Sequence, residues 1–385
     1  MIDENRILEI LNELSFPRLS GTQFEHDAYD KVKKRIEKLG LSPKGQEFVF
    51  STFYSRIYPR LTITLLSWLL LILSINLNVI FNLVNLFLIA IFITIVIKLT
   101  RTPEKIKLGY KYHSQNLFLK IPSKSQKENA EHNIFFFSHL DSKGQRFSIK
   151  IRIQLYYYWI ITFPSALTII LLNSFYLSEV SIFLYILEFL VLSINFISTV
   201  LLWINRTNNE SPGAIDNASG VSCVLEILHH FSDPKNRLNN FTLWFVFTGA
   251  EESGTMGVRN FYNYIKDFDR EKTYTVNFDS IGKQVTLWDH GLLNNKYYKS
   301  FNYILENKEI MKLAKKTHRF YIGAYSDGLF LLNKKFKGIG NGDKSNNNYI
   351  HSKNDNFDLI DARVIKKLSK FYSILLQEVD IDLNK

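Results

Sequence analysis

The longest uncharged stretch of the chain places the strongest limit on its fold. No Asp, Glu, Lys, Arg or His occurs from residue 61 to residue 97. A single helix of that length would measure about 55 Å, whereas the hydrocarbon core of a bilayer is about 30 Å thick. Two more apolar stretches follow, over residues 153–178 and 180–204. We therefore predict two transmembrane helical hairpins, with helices near residues 60–77, 80–98, 154–174 and 180–204.

A pair of buried soluble hairpins is the alternative interpretation of these stretches. Four such segments would need a core that is too large for a chain of 385 residues. Because two hairpins return the chain to the side that it left, the polar segments between them form one interrupted domain. We predict that the hairpins occupy residues 56–100 and 151–205. The interrupted polar domain then consists of residues 1–55, 101–150 and 206–385.

The charges around the hairpins predict an orientation. Lys and Arg residues flank both hairpins, and the turns inside the hairpins contain none. By the positive-inside rule, the chain is a multi-pass protein of the cell membrane whose polar domain lies in the cytoplasm. The formal net charge of +11 is partly explained by this flanking charge. No nucleic-acid-binding motif accompanies it, so we expect a lipid bilayer and no nucleic acid among the partners. The sequence does not indicate an oligomeric state.

Two single residues limit the chemistry further. Glu188 lies within the last apolar stretch, where a carboxylate is costly and is often functional. Over a proton relay we favour either a protonated or interhelically hydrogen-bonded side chain near Tyr156–Tyr158, or a helix that is shorter than predicted. Cys223 is the only cysteine, which excludes a disulfide framework and a metal site built from cysteine pairs. Any metal site in this protein therefore uses imidazole and carboxylate groups.

Three apolar runs predict the strands of a sheet. The runs NIFFF, FTLWFVF and YTVNF occupy residues 133–137, 241–247 and 274–278. Continuous apolar runs of this kind are typical of strands that are covered on both faces. We therefore predict an α/β fold with a mixed, mostly parallel central sheet flanked by helices and interrupted by the two hairpins. In open α/β sheets, functional sites lie just beyond the carboxyl ends of the strands.

Imidazole and carboxylate groups follow each of these predicted strands. The candidates, including those in two further loops, are His139, Asp141, Asp216, Glu251, Glu252, Asp279 and His351. Such a set suits Zn²⁺ or a similar divalent metal, and its size allows a binuclear site. The adjacent pair Glu251 and Glu252 suits two tasks, because one can bind metal while the other acts as a general base. Each motif alone is common, but five separate segments together are a strong indication.

These motifs resemble those of the binuclear zinc exopeptidases of the bacterial leucyl aminopeptidase and aminopeptidase Y type, metallopeptidase family twenty-eight. The matching motifs are His-x-Asp at 139–141, Gly-Ala-x-Asp-Asn-x-Ser-Gly at 213–220, Glu-Glu-x-Gly at 251–254, Asp279 and His351. The opening Phe-Pro-Arg-Leu-Ser-Gly at 16–21 is also similar. The resemblance covers roughly residues 1–50, 105–145 and 206–375.

The resemblance implies a zinc exopeptidase fold and a role for each candidate. His139 and Asp279 would bind one Zn²⁺, Glu252 and His351 would bind a second Zn²⁺, and Asp216 would bridge the two ions. Glu251 would be the general base, and Asp141 would accept a hydrogen bond from the ring of His139. Because every position holds the expected residue type, the resemblance favours a working two-metal enzyme.

The inserted hairpins are a departure from the family, so the resemblance leaves the substrate open. We predict a membrane-anchored aminopeptidase that removes N-terminal residues from peptides. The alternatives are a carboxypeptidase, a deacylase, a glutaminyl cyclase-like enzyme, and a non-catalytic membrane scaffold with a peptidase fold. Tyr325 and Tyr349 are candidates for stabilising the tetrahedral oxyanion, although a structural role is the simpler interpretation for each.

Overall fold

The computed structural model describes residues 2–106, 108–125, 132–175, 182–290, 314–317 and 326–383. The chain forms two compact units. One unit contains Met1–Phe50, Tyr112–Gly144 and Asn208–Lys385, and the other contains Ser51–Lys111 and Gln145–Thr207. Each unit is therefore assembled from segments that are separated in the sequence.

The first unit is built on an eight-stranded sheet with the strand order β1-β2-β6-β3-β7-β10-β8-β9. Its strands are β1 (Lys44–Ser51), β2 (Lys111–Ile121), β3 (His132–His139), β6 (Phe241–Thr248), β7 (Thr273–Phe278), β8 (Val285–His290), β9 (Ala314–Thr317) and β10 (Lys337–Gly342). Two short strands, β4 (Gly144–Gln145) and β5 (Thr207–Asn208), pair separately. Strands β6, β3, β7 and β10 are parallel, whereas β2 is antiparallel to β6 and β8 is antiparallel to β10. The predicted mixed, mostly parallel sheet is confirmed.

Helices cover both faces of this sheet. The described helices of the unit are α1 (Glu4–Leu14), α2 (Gln23–Glu37), α7 (Ser219–Ser232), α8 (Met256–Ile265), α9 (Asp327–Asn333) and α10 (Ala362–Asp382). Because side chains alternate along a strand, Phe136 packs in a core with α1, α2, α7 and α10. Its neighbours Phe135 and Phe137 pack in a second core with α8 and α9. The flanking helices are thus placed as predicted.

The second unit is a group of four helices, α3 (Tyr58–Ser74), α4 (Val79–Arg101), α5 (Ile149–Phe175) and α6 (Ile182–Ile204). Four helical stretches of the described chain are long and apolar enough to cross a membrane: Phe53–Ser74, Val79–Thr100, Ile149–Ser174 and Ile182–Ile204. The two predicted pairs of apolar helices are confirmed. The first and third stretches begin several residues earlier than predicted, because Arg56, Lys150 and Arg152 continue the helices beyond the apolar part of the sequence.

Hydrogen bonds between side chains join the helices of the second unit. Ser67 Oγ donates to Asn195 Oδ1 at 2.7 Å and lies 2.9 Å from Thr199 Oγ1, and Trp159 Nε1 donates to Ser67 Oγ at 3.0 Å. Polar contacts of this kind bind helices together where no water competes. Glu188 Oε2 accepts a hydrogen bond from Asn173 Nδ2 at 2.7 Å. That contact joins α5 to α6, so the predicted interhelical bond is present, but its partner is Asn173 and not the predicted region of Tyr156–Tyr158.

Candidate metal centre

The candidate ligands meet at the carboxyl edge of the parallel strands. His139 is the last residue of β3 and lies opposite Thr248, the last residue of β6. The loop that follows β6 carries Glu251 and Glu252, and Asp279 directly follows β7. Because these strands are parallel neighbours, their final residues lie along one edge of the sheet.

Two groups of ligand atoms share one carboxylate. His139, Asp216 and Asp279 form the first group, and Asp216, Glu252 and His351 form the second, with the ligand atoms of each group within 4.8 Å of one another. His139 Nε2 lies 3.0 Å from Asp216 Oδ1 and 3.7 Å from Asp279 Oδ1. His351 Nε2 lies 3.1 Å from Asp216 Oδ2 and 2.7 Å from Glu252 Oε1. The two oxygens of Asp216 therefore face different histidines.

The chemistry of these atoms fits a divalent metal. Asp216 Oδ1 and Glu252 Oε1 are buried and accept no hydrogen bond in good geometry, although an imidazole Nε2 lies 3.0 Å from the first and 2.7 Å from the second. A buried carboxylate oxygen without a donor is costly unless a cation approaches it. Imidazole and carboxylate groups at this spacing are the ligands that zinc uses in catalytic sites.

The ring of His139 is held by Asp141. Its Nδ1 lies 3.0 Å from the backbone oxygen of Asp141, in hydrogen-bonding geometry, and 3.4 Å from the carboxylate Oδ1. When Nδ1 carries the proton and donates to that backbone oxygen, the lone pair of Nε2 faces Asp216 and Asp279. The Asp141 carboxylate mainly serves the neighbouring loop, because its two oxygens accept from the backbone N–H groups of Glu251 and Glu252, both at 3.0 Å.

The two adjacent glutamates have opposite protonation tendencies. Burial, together with the negative charge of Glu252, raises the pKa of Glu251 well above its usual value. Burial also disfavours the Glu252 anion, but the charges of His351 and Lys143 outweigh that cost and lower the pKa of Glu252 to about 2. Neighbouring carboxyl groups with separated pKa values mark an acid–base group beside a permanent anion.

The pKa values of the other ligands reflect the same crowding of charge. Burial raises the pKa of Asp279. Burial acts in the same direction on Asp216, but contacts with His139 and His351 reverse it and hold the pKa of Asp216 far below its usual value. Burial lowers the pKa of His139, yet its carboxylate neighbours outweigh this effect and raise it well above normal.

Several groups around the site do not appear among the residues predicted from the motifs. Lys143 Nζ contacts Glu252 Oε2 at 2.5 Å. Asp355 accepts the backbone N–H groups of Ile215 at 2.6 Å and Asp216 at 3.2 Å. These residues belong to loops that become neighbours only in the fold. The sequence indicated their place at the site only through proximity, since Lys143 follows the His-x-Asp motif and Asp355 follows His351 by four residues.

Arg18 and Asp327 also lie beside the predicted ligands. Arg18 is 1% exposed and donates to the backbone oxygens of Leu140 and Gly213, which precede Asp141 and Asp216. Asp327 accepts a hydrogen bond from the Thr248 hydroxyl, and burial raises its pKa to about 7. Of the two tyrosines considered for the oxyanion, Tyr349 is 40% exposed and Tyr325 lies outside the described residues.

The family match covers most of this site. Residues 197–375 match the model of peptidase family M28. On this match the chain is a metallopeptidase, and this segment is similar to family M28. The matched segment includes Asp216, Glu251, Glu252, Asp279 and His351, and the resemblance drawn from the motifs is confirmed. No curated protein matches the chain.

Several solved structures are similar to this metallopeptidase. An aminopeptidase from Aneurinibacillus sp. strain AM-1 aligns with a TM-score of 0.58 and 13% identity, over 98% of this chain and 94% of that chain. BSAP, a zinc aminopeptidase from Bacillus subtilis, aligns with a TM-score of 0.57 and 12% identity, over 98% and 95%. A glutaminyl cyclase from Fimbriiglobus ruber gives a TM-score of 0.54 and 12% identity, over 98% and 95%. At these identities, the likeness concerns the fold alone.

Proposed function

We propose that this metallopeptidase is a membrane-anchored aminopeptidase that uses two zinc ions. The observation that carries the proposal is the pair of ligand groups that share Asp216. One carboxylate with an oxygen directed to each histidine suits a bridge between two cations. Three crowded carboxylates and two imidazoles are also stabilised far better by two divalent ions than by one.

Each predicted ligand has a place in this proposal. His139 and Asp279 would hold one ion, Glu252 and His351 would hold the other, and Asp216 would contact both. When bound, the two ions supply a Lewis acid for the scissile carbonyl and activate the attacking water. Glu251 takes the proton of that water and returns it to the leaving amine, for which its raised pKa is well suited. Asp141 fixes the loop that aims Glu251 by accepting its backbone N–H.

The charge of the site favours a substrate with a free amino terminus. Glu251 and Asp327 add carboxyl groups to the edge where the ligands meet, and bound cations would favour the ionised form of each. Such a surface attracts a protonated amine and repels a carboxylate. Lys143 is the cation nearest to Glu252, but its ammonium group already contacts that carboxylate. This balance favours an aminopeptidase over a carboxypeptidase, and the likeness to a glutaminyl cyclase fold keeps cyclisation as the second candidate reaction.

The four apolar helices support anchoring in a lipid bilayer. Lys and Arg residues at the ends of both hairpins support a cytoplasmic location for the peptidase domain. Peptides with free amino termini in that compartment would then be its substrates.

The substrate proposal is tested with detergent-purified, zinc-loaded full-length protein. Fluorogenic aminoacyl amides are compared with the same amides carrying an N-acetyl group, and with peptides that begin with glutamine. We expect hydrolysis of the free-amine substrates, at least about 100-fold slower hydrolysis of the acetylated ones, loss of activity with a chelator, and recovery with Zn²⁺. Equal cleavage of acetylated substrates would contradict an aminopeptidase, and release of pyroglutamyl products without hydrolysis would establish the cyclase.

A further inference from the structure

A buried carboxylate lies on the apolar face of helix α2. The buried residues of this helix are Glu25, Ala28, Tyr29, Val32 and Ile36. Glu25 is 2% exposed, and it precedes the segment that the family model matches. A carboxylate on a buried helix face is costly unless its oxygens are fully hydrogen-bonded. Its contacts therefore show why an acidic residue occupies this position.

The oxygens of Glu25 join three separate parts of the chain. Oε1 accepts the backbone N–H of Ala250 at 2.7 Å and the hydroxyl of Ser114 at 2.9 Å. Oε2 accepts the backbone N–H of Gly21 at 2.6 Å. Ser114 belongs to β2, and Ala250 lies in the loop that follows β6. Glu25 thus ties this loop to α2 and to the sheet.

The contact with Ala250 falls at a special point of the backbone. Ala250 has a φ of +49°, in the left-handed region that residues other than glycine seldom adopt. The next two residues are Glu251 and Glu252, whose N–H groups bind the carboxylate of Asp141. Three successive N–H groups are therefore fixed by two buried carboxylates. The direction in which Glu251 leaves the backbone depends on this arrangement.

The space around the contact is tight. At Gly249, a Cβ atom would lie 2.2 Å from Ser114 Oγ and 3.0 Å from Glu25 Oε1. The end of β6 therefore packs directly on the Glu25 carboxylate, and the loop has little room to take another path. A loop without regular secondary structure acquires a defined shape from such side-chain acceptors.

We propose that Glu25 is a positioning residue, which holds Ala250 in its left-handed conformation and so places Glu251 for proton transfer. This inference rests on the proposed function, because the orientation of Glu251 affects the reaction only if Glu251 is the general base. Glu25 itself does not touch the substrate. Its removal is expected to slow the chemical step while leaving substrate affinity nearly unchanged.

The test compares the same change, Glu to Gln, at two positions of helix α2. Glu25→Gln keeps the size of the side chain but leaves either Gly21 or Ala250 facing an amide donor, and Glu37→Gln changes an exposed position. Both are assayed at equal zinc content on the best aminoacyl amide. We expect kcat to fall about 10- to 100-fold for Glu25→Gln, with KM within about 2-fold of the original protein, and no change for Glu37→Gln.

A merely structural role gives a different result. Glu25→Gln would then lower the melting temperature and the yield, but each folded, zinc-loaded molecule would turn over as fast as Glu37→Gln, and the proposal would be overturned. Should Glu25→Gln not fold, the double variant Glu25→Gln/Ala250→Gly decides, because glycine adopts a left-handed φ without the support of Glu25. We expect its kcat to lie within about 3-fold of the original value, and a kcat that stays at least about 10-fold low in the folded, zinc-loaded double variant would overturn the proposal.

The two proposals fail in distinguishable ways. An original protein that is inert on every amide refutes the proposed function whatever the variants do. An active original protein with an equally active Glu25→Gln refutes only the positioning role.

Discussion

In the four-helix unit, the buried hydroxyl of Ser67 is hydrogen-bonded to Asn195, Thr199 and Trp159, whereas at the edge of the sheet two of the buried oxygens of the candidate ligands accept no hydrogen bond. The first arrangement satisfies itself, so its function is to hold helices together. The second is incomplete without a cation, because an unpaired buried carboxylate is destabilising. At the sheet edge these acceptors indicate a cation because they belong to groups of imidazole and carboxylate ligands that lie within 4.8 Å of one another.

The two regions also differ in how they meet the cost of a buried carboxylate. Glu188, in the four-helix unit, is paired with the neutral amide of Asn173. Asp216, at the sheet edge, has a histidine on each side and the backbone of its loop held by Asp355. The Glu188 carboxylate has a single hydrogen-bond partner. The Asp216 carboxylate lies between two histidines from different loops, and its own loop is held by a third. The following predictions test that distinction.

The largest expected effect comes from the carboxylate that both ligand groups share. Asp216→Asn removes the charge and weakens both metal positions at once, so we expect zinc content to fall from two ions to fewer than one. Hydrolysis should then decrease at least about 1,000-fold. Zinc is measured by elemental analysis of the purified protein, with Glu188→Gln, a substitution of a buried carboxylate in the other unit, as the matched control. Retention of two ions by Asp216→Asn would contradict its bridging position.

A smaller effect is expected from the hydrogen-bonded cluster around Ser67 in the four-helix unit. Asn195→Leu deprives Ser67 and Thr162 of a partner, and we expect it to lower the free energy of unfolding in detergent by about 1 kcal/mol. Because this cluster only joins helices, kcat for each bound zinc should stay within about 2-fold of the original value. A large loss of kcat without loss of zinc would show that the cluster takes part in the reaction.

The parts of the structure that could be predicted from the sequence are those determined by local patterns. The apolar runs of β3, β6 and β7 and the long apolar helices carry their own signal, because strands buried on both faces and helices long and apolar enough to cross a membrane contain few charged residues. The predicted ligands also come together, because residues that follow parallel strands must share an edge.

Contacts between distant segments could not be predicted in this way. Lys143 and Asp355 contact partners that are remote in sequence, and their positions close to His-x-Asp and to His351 do not specify those partners. Glu25 is an intermediate case, because the helical period places it on the buried face of α2. The loop that its carboxylate contacts is apparent only from the fold. The starts of the first and third apolar helices were missed because charged residues mark the edge of an apolar stretch and do not end a helix.

The most direct test of the central claim is the hydrolysis of aminoacyl amides by the original protein and by Glu251→Gln, both loaded with zinc. Glu251 is assigned to proton transfer and is not assigned as a ligand, so we expect the variant to bind the same amount of zinc and to lose at least about 1,000-fold in kcat. Full zinc content with almost no turnover would support a two-zinc peptidase with a glutamate base. Turnover by Glu251→Gln at the original rate, or no turnover by the folded and zinc-loaded original protein, would contradict it.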